Sequence, residues 1–185
     1  IARLLQRGSL APSFGPPRKV RVLRDLTRQH VNITEDIVRV KNRITKTLRE
    51  ASITLDANLS DLFGVSGRAM IQGLIAGMPG DEIAELAKRR LRSKIPQIRD
   101  SLRFPLSDHY RRILFRYWKQ LTFLEEEVAS LEKDIDEMIN PFLAAINRLQ
   151  TMPGCGVKAA RGIISEIGND MSRFPKDKNL CSWAK

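Results

Sequence analysis

Apolar residues recur over residues 121–149 in a regular three-four alternation: Leu121, Leu124, Val128, Leu131, Ile135, Met138, Phe142, Ala145 and Leu149. This spacing keeps one face of a helix apolar through many turns, the a/d pattern of a coiled coil or a long helical hairpin. Met138 and Phe142 are therefore read as core residues of the stripe. The helix is predicted to open at Ser107, a natural N-cap, with Asp108 in its first turn. Pro141 interrupts the stripe; it lacks an amide and crowds residue 137, so a kink or a restart is expected there. A second stripe, Ile33, Ile37, Val40, Ile44 and Leu48, predicts another long helix from about Pro17 to Arg49. Arg39, Lys41, Arg43, Lys46 and Arg49 occupy its other face. Asn32 and Thr34 are poor interior residues, and a local irregularity is expected beside them. The two long helices are expected to pair antiparallel within the chain, or through the same stripes with a second chain.

Between and around these helices the pattern is broken. Pro12, Pro16 and Pro17 make residues 11–19 an extended linker. Gly64, Gly67, Gly73, Gly77 and Gly80 divide residues 51–80 into short helices and turns, with Asp56, Ser60 and Asp61 as caps. Ser66 is expected to open a short helix through Ile75. Pro79 to Glu82 should open another that runs through Leu91, with Asp81 and Glu82 at its positive end and Lys88, Arg89, Arg90, Arg92 and Lys94 crowding its last turn. Pro96 is expected to start a further turn or two before Leu106. The fold class that follows is all-α: a long coiled-coil-like helical hairpin followed by a helix-hairpin-helix-like segment.

That last segment spans residues 149–168. A helix ends near Gln150, Pro153, Gly154, Cys155 and Gly156 form a tight turn, and a second helix runs from Val157 to Glu166 until Gly168 stops it. Glycines at 154 and 156 remove side chains, so backbone amides and the start of the second helix can meet a phosphate oxygen. Lys158 and Arg161 add charge beside that point, and Ala159 and Ala160 allow close helix packing. Such contacts hold a nucleic-acid backbone without reading bases.

Composition sharpens this picture. The chain carries 32 Lys and Arg against 21 Asp and Glu, a net charge of +11, which favours polyanionic partners. The charge is blocked: net +8 over residues 1–50, −4 over 51–87, +9 over 88–120, −5 over 121–150 and +3 over 151–185. Alternating blocks suggest discrete faces rather than a basic tail. The candidate nucleic-acid-binding residues are Pro153, Gly154, Gly156, Lys158, Arg161, Arg39, Arg43, Lys46, Arg89 and Arg92. Cys155 and Cys181 are distant in sequence and read as free thiols, and no zinc pattern forms with His30 and His109. No apolar run is long enough to cross a membrane, and no signal peptide opens the chain. Ile1 is no initiator methionine, so the chain is expected to begin within a longer protein, and residues 180–185 are read as a truncation or a naturally broken reading frame.

Several phrases together resemble the transposases of the bridge-RNA-guided insertion-sequence family: residues 1–5, 13–17, 21–28, 41–43, 60–70 and 151–183. That family joins a DEDD RuvC-like domain to a C-terminal, serine-containing transposase domain. The resemblance implies that residues 1–19 end the RuvC-like domain and form a proline-rich linker. It makes 20–148 the helical coiled-coil linking region, and 149–185 the start of the transposase domain. It also implies that the metal-binding acidic cluster precedes Ile1 and the catalytic serine follows Lys185. No catalytic residue, metal site or cofactor is then expected in this chain, with magnesium serving the full-length family member. Asp25, Asp56, Asp61 and Ser182 are not assigned catalytic roles: Asp25 reads as an ion partner of Arg24 and Arg28, and Ser66 and Ser172 as caps. The implied partners are DNA, a structured guide RNA and a homo-oligomer of the full-length protein, in the prokaryotic cytoplasm and on the nucleoid when bound to DNA. The competing reading is a structural helical protein that pairs through its heptads without nucleic acid. A self-contained nuclease is disfavoured, because paired-metal chemistry needs converging carboxylates.

Overall fold

The computed structural model describes residues 15–183, so expectations that fall on residues 1–14 and 184–185, including most of the linker at 11–19, lie outside the described residues. Among the described residues every regular element is helical. They run as α1 (Arg18–Glu50), α2 (Leu55–Asn58), α3 (Val65–Ala76), α4 (Gly80–Glu85), a 3-10 helix (Arg89–Lys94), α5 (Ile95–Ser101), α6 (Asp108–Ile139), a 3-10 turn (Asn140–Phe142), α7 (Leu143–Gln150), α8 (Val157–Ile167), a 3-10 turn (Met171–Arg173) and α9 (Asp177–Trp183). The chain divides into two compact units, one from Asn32–Ala129 and the other from Ile1–Val31 with Ser130–Lys185.

In the unit built from residues 32–129, the predicted stripe of α1 enters the core: Val40, Ile44 and Leu48 are buried in one cluster with Leu114 and Leu121 of α6. Short helices complete that cluster through Met70, Ile71 and Leu74 of α3, Ile83 and Ala84 of α4, and Ile98 of α5. Each buried Leu or Ile contributes roughly 1.5–3 kcal/mol relative to exposure, so apolar burial on α1 and α6 outweighs the weak helix propensity of Asn32 and Thr34. Helix α1 accordingly runs without a break through both, and the irregularity expected there does not occur.

In the other unit, Val20 and Leu23 of α1 are buried with Ile135, Ile139, Phe142, Ile146, Ala160 and Ile164. All nine positions of the 121–149 stripe are at least half-buried, but Ile139 and Ile146, outside the strict alternation, are buried more deeply than Met138 or Leu149. Pro141 gives a restart: the α6 ladder tightens into a 3-10 turn at Asn140–Phe142 and resumes as α7. The tighter i→i+3 pattern accommodates the missing amide while keeping the apolar face continuous.

Three local expectations are corrected. The helix expected from Pro79 through Leu91 ends at Glu85; Lys88 is extended and Arg89, at φ +54°, is the first residue of the 3-10 helix. Ser66 does not open α3. Gly64 is its N-cap, and the Ser66 hydroxyl instead accepts the Lys88 amide at 3.0 Å. The cap expected at Ser172 is Asp170, whose carboxylate accepts the Ser172 amide at 3.0 Å.

Gly67 is the tightest of the described glycines, since a Cβ there would lie 2.1 Å from the Leu62 carbonyl oxygen. Gly162, inside α8, has nothing within 4 Å of the same position. Gly67→Ala is expected to lower stability by more than about 2 kcal/mol through overpacking. Gly162→Ala is expected to raise it by up to about 1 kcal/mol through helix propensity. Urea titrations followed by far-ultraviolet circular dichroism should show midpoints moving in opposite directions.

Candidate nucleic-acid interface

The turn between α7 and α8 is built from short-range hydrogen bonds. Thr151 and Met152 donate their amides to Arg148 and Leu149 at 3.3 and 3.1 Å, and the Cys155 amide closes the turn on the Met152 carbonyl at 3.1 Å. Gly154 sits at φ +82°, where a side chain is costly. Gly156 is different: at φ −73° and ψ 172° it is an extended N-cap that any residue can adopt. No side chain caps α8 there, so its first-turn amides lack intrahelical acceptors and carry the positive end of the helix dipole. A Cβ at Gly154 or Gly156 would meet nothing within 4 Å, so the outer face of the turn is open.

Pro153 and Lys158 are exposed at this turn. Arg161 is engaged by the fold, its Nη2 lying 2.8 Å from Asp136 Oδ1. Ala160 is fully buried against the α7 side of the cluster, whereas Ala159 is exposed, so only the former serves close packing. Behind the turn, Glu166 holds both Arg24 and Arg28. Arg28 forms a two-pronged pair with it at 2.9 and 3.0 Å. The bond to Glu166 raises the Arg28 guanidinium above its ordinary value, with the attraction of the same carboxylate second and a small contribution from Asp25. Glu166, distant in sequence, is thus the ion partner that was expected at Asp25.

In the unit of residues 32–129, Arg39, Arg43 and Lys46 line the exposed face of α1. Arg39 is drawn to Asp36 at 2.7 Å and Glu35 at 3.5 Å, and the bond to Asp36 raises its guanidinium above the usual value. Lys46 lies 3.8 Å from Glu50, while Arg43 has no ion partner among the described residues. Arg89 and Arg92 are exposed on the 3-10 helix, and with Lys88 and Arg90 they too have none among the described residues. Lys88, Arg89 and Arg90 line a cleft of about 870 Å³ together with Ser60, Asp61, Gly64 and Ser66. Lys88 and Arg90 were legible as part of the basic run, but their place on a cleft depends on the backbone reversal at Arg89, which no apolar period announces. Arg68, in contrast, is a structural cation. It forms a two-pronged pair with Glu125 at 3.0 and 2.5 Å and donates to the Phe63 carbonyl at 2.7 Å. The Glu125 bond raises its guanidinium against the opposing effect of burial.

Among the described residues no group of three or more His, Cys, Asp or Glu is placed to hold a metal ion, so the described side chains do not fit a magnesium centre. Cys155 and Cys181 are free thiols. No helix among the described residues is long and apolar enough to cross a membrane.

The two ends of the chain match transposase family models. Residues 1–53 match a DEDD transposase model of the IS110 type, and residues 146–184 match one described as the transposase IS116/IS110/IS902 family. The second transposase match contains the whole turn and α8 together with the end of α7, and the first contains all of α1. No curated protein and no solved structure matches the chain.

The glycines of the turn have separable roles. Gly154→Ala is expected to cost about 1–2 kcal/mol, the penalty of a side chain in the left-handed region. Gly156→Ser keeps an allowed backbone and supplies the missing N-cap oxygen, so it should stabilise by a few tenths of a kcal/mol. Thermal unfolding of the two variants measures both signs.

Proposed function

We propose that this chain is the nucleic-acid-holding, non-catalytic part of a transposase, gripping phosphates and supporting assembly for DNA transposition by site-specific recombination. The observation that carries the reading is the transposase-model match at 146–184, which falls on a helix–turn–helix whose turn is open and whose second helix is uncapped. In this reading the segment is a helix-hairpin-helix-like phosphate grip. Pro153, Gly154 and Gly156 shape it, the α8 amides contact the phosphate, and Lys158 and Arg161 add charge. Arg39, Arg43, Lys46, Arg89 and Arg92 supply further backbone contacts. Residues 1–19 then close a RuvC-like domain and linker, 20–148 form a coiled-coil linking region, and 149–185 open the transposase domain. The partners are DNA, a structured guide RNA and a second copy of the full-length protein in a prokaryotic cytoplasm. Magnesium chemistry belongs to segments outside this chain, and the 185-residue chain itself cuts no DNA.

Titration of labelled duplex DNA and structured RNA by fluorescence anisotropy, at several salt concentrations, tests this. Affinity should fall with salt, with a log-log slope of about −0.9 for each duplex phosphate contacted. Lys158→Ala should flatten that slope by roughly one unit. Asp136→Asn, which releases Arg161 from its 2.8 Å pair, should tighten duplex binding. Gly156→Ser should stabilise the fold yet weaken binding, because the serine oxygen occupies the amides that a phosphate would use. Absence of salt-dependent affinity in the folded chain would overturn the reading in favour of a structural helical protein that pairs through its stripes.

A further inference from the structure

Helix α6 turns its buried side, Leu114 and Leu121, into the core of the 32–129 unit. The opposite side is a stripe of a different kind. Arg112, Phe115, Arg116, Lys119 and Phe123 follow one another at three, one, three and four residues, which on a helix of 3.6 residues per turn is a single face. Phe115 and Phe123 are 49% and 58% exposed, unusual for phenylalanine in a helix that buries leucines a turn away. The Lys119 ammonium lies 5.5 Å from the centre of the Phe115 ring, so the cation and the aromatic face share one surface. Arg112 makes a long bond to the Asp108 carbonyl at 3.4 Å, while the Asp108 carboxylate is engaged by Arg111 at 3.1 Å. Arg112, Arg116 and Lys119 have no carboxylate partner among the described residues, and no acidic residue lies on this face between Asp108 and Glu126.

We infer that this face binds unpaired nucleotides, Phe115 and Phe123 each stacking on a base while Arg112, Arg116 and Lys119 hold the phosphates between them. The inference rests on the nucleic-acid reading above but assigns a separate site with a separate ligand class. Two features choose this occupant. Three cations without a carboxylate complement a polyanion, and exposed rings complement the π-faces of bases, which are accessible only where the strand is unpaired. Eight residues separate the two rings, roughly 12 Å along the helix at 1.5 Å per residue. That distance is about three to four steps of a stacked strand, whose bases lie roughly 3.4 Å apart. A second copy of the chain is the competing occupant, since an antiparallel copy would bring Glu126 toward Arg112.

The test compares the 185-residue chain with Phe115→Ala/Phe123→Ala and Arg112→Ala/Lys119→Ala variants. Binding of labelled oligo-dT, oligo-U and a duplex of equal length is read by anisotropy, and mass by sedimentation. Both variants change exposed positions, and far-ultraviolet circular dichroism checks their helicity. The phenylalanine variant should lose roughly tenfold or more in affinity for the single strands, the loss of one or two stacked bases, and keep its duplex affinity and its salt slope. The cation variant should flatten the single-strand salt slope, by about 0.7 for each phosphate it no longer holds. Unchanged single-strand affinity in the phenylalanine variant, with duplex binding intact, overturns this site alone. A dimer that dissociates on removal of the two rings, at unchanged oligonucleotide affinity, assigns the stripe to self-association and also overturns it. Failure of the unmodified chain to bind any of the three polymers removes the broader reading together with this one.

Discussion

A helix of 32 or 33 residues with one apolar face cannot shelter that face by itself, and α1 and α6 both pose that problem. Each is roughly 50 Å long at 1.5 Å per residue, longer than a single short helix can cover. The fold solves the problem piecewise. Around Val40, Ile44, Leu48, Leu114 and Leu121, the cover comes from α3, α4 and α5, three short helices of which the first two are joined by a glycine-containing turn. Around Val20, Leu23, Ile135 and Ile139 it comes from α7 and α8. Close cover demands small residues at the contacts. Gly67 lies so near the Leu62 carbonyl that no side chain fits, and Ala160 is fully buried where α8 meets its neighbours. Gly67 and Gly80 are therefore packing requirements of the short helices, set against the Leu62 and Leu102 carbonyls, as much as parts of turns.

The α7–turn–α8 segment owes its position to the same constraint. Pro141 ends the α6 ladder, but Phe142 and Ile146 continue its apolar face, so the chain stays on the core through the 3-10 turn. Ile146 on α7 and Ala160 and Ile164 on α8 then lock the two helices together by their buried sides. What remains for solvent is the turn itself, with an uncapped helix start and a glycine in the left-handed region. The apolar backing holds the two helices together, and the exposed surface of the turn includes the side chains of Met152, Val157 and Lys158 as well as backbone.

Periodic features were the legible ones. The stripes at 33–48 and 121–149, the boundary near Gln150, the start of α8 at Val157 and the role of Gly168 all follow from local spacing and turn chemistry, and the structure places them where that chemistry predicts. The misses are nonlocal. The reversal at Arg89 depends on the Lys88 amide reaching the Ser66 hydroxyl, 22 residues earlier in the chain, a bond that no window of sequence contains. Continuity of α1 through Asn32 and Thr34 reflects tertiary burial overriding weak propensity. The pairing of Arg24 and Arg28 with Glu166 has the same origin: Asp25 next to Arg24 on the helix points elsewhere, its effect on Arg28 is secondary, and the carboxylate that both arginines meet lies over a hundred positions away.

Charge was legible as a sum but not as an allocation. The blocks of net charge say how many cations a segment holds, not which of them the fold engages. Arg68, Arg24, Arg28 and Arg161 are engaged, each by a carboxylate outside its own helix. Two of those carboxylates, Glu125 and Asp136, come from the acidic block at 121–150, so part of the apparent basic surplus is internal neutralisation. The cations of Lys88, Arg89, Arg90, Arg92, Arg112, Arg116 and Lys119 have no such carboxylate among the described residues, and all belong to the block at 88–120. An exposed cation is readily hydrated and destabilises nothing by itself, but a cluster of them in one block raises the local potential, and its members repel one another. A polyanion relieves that repulsion and releases its own counterions in doing so. The physical case for nucleic acid therefore rests less on the total of +11 than on these unengaged cations, which remain after Arg99, Arg103 and Arg111 of the same block pair with carboxylates.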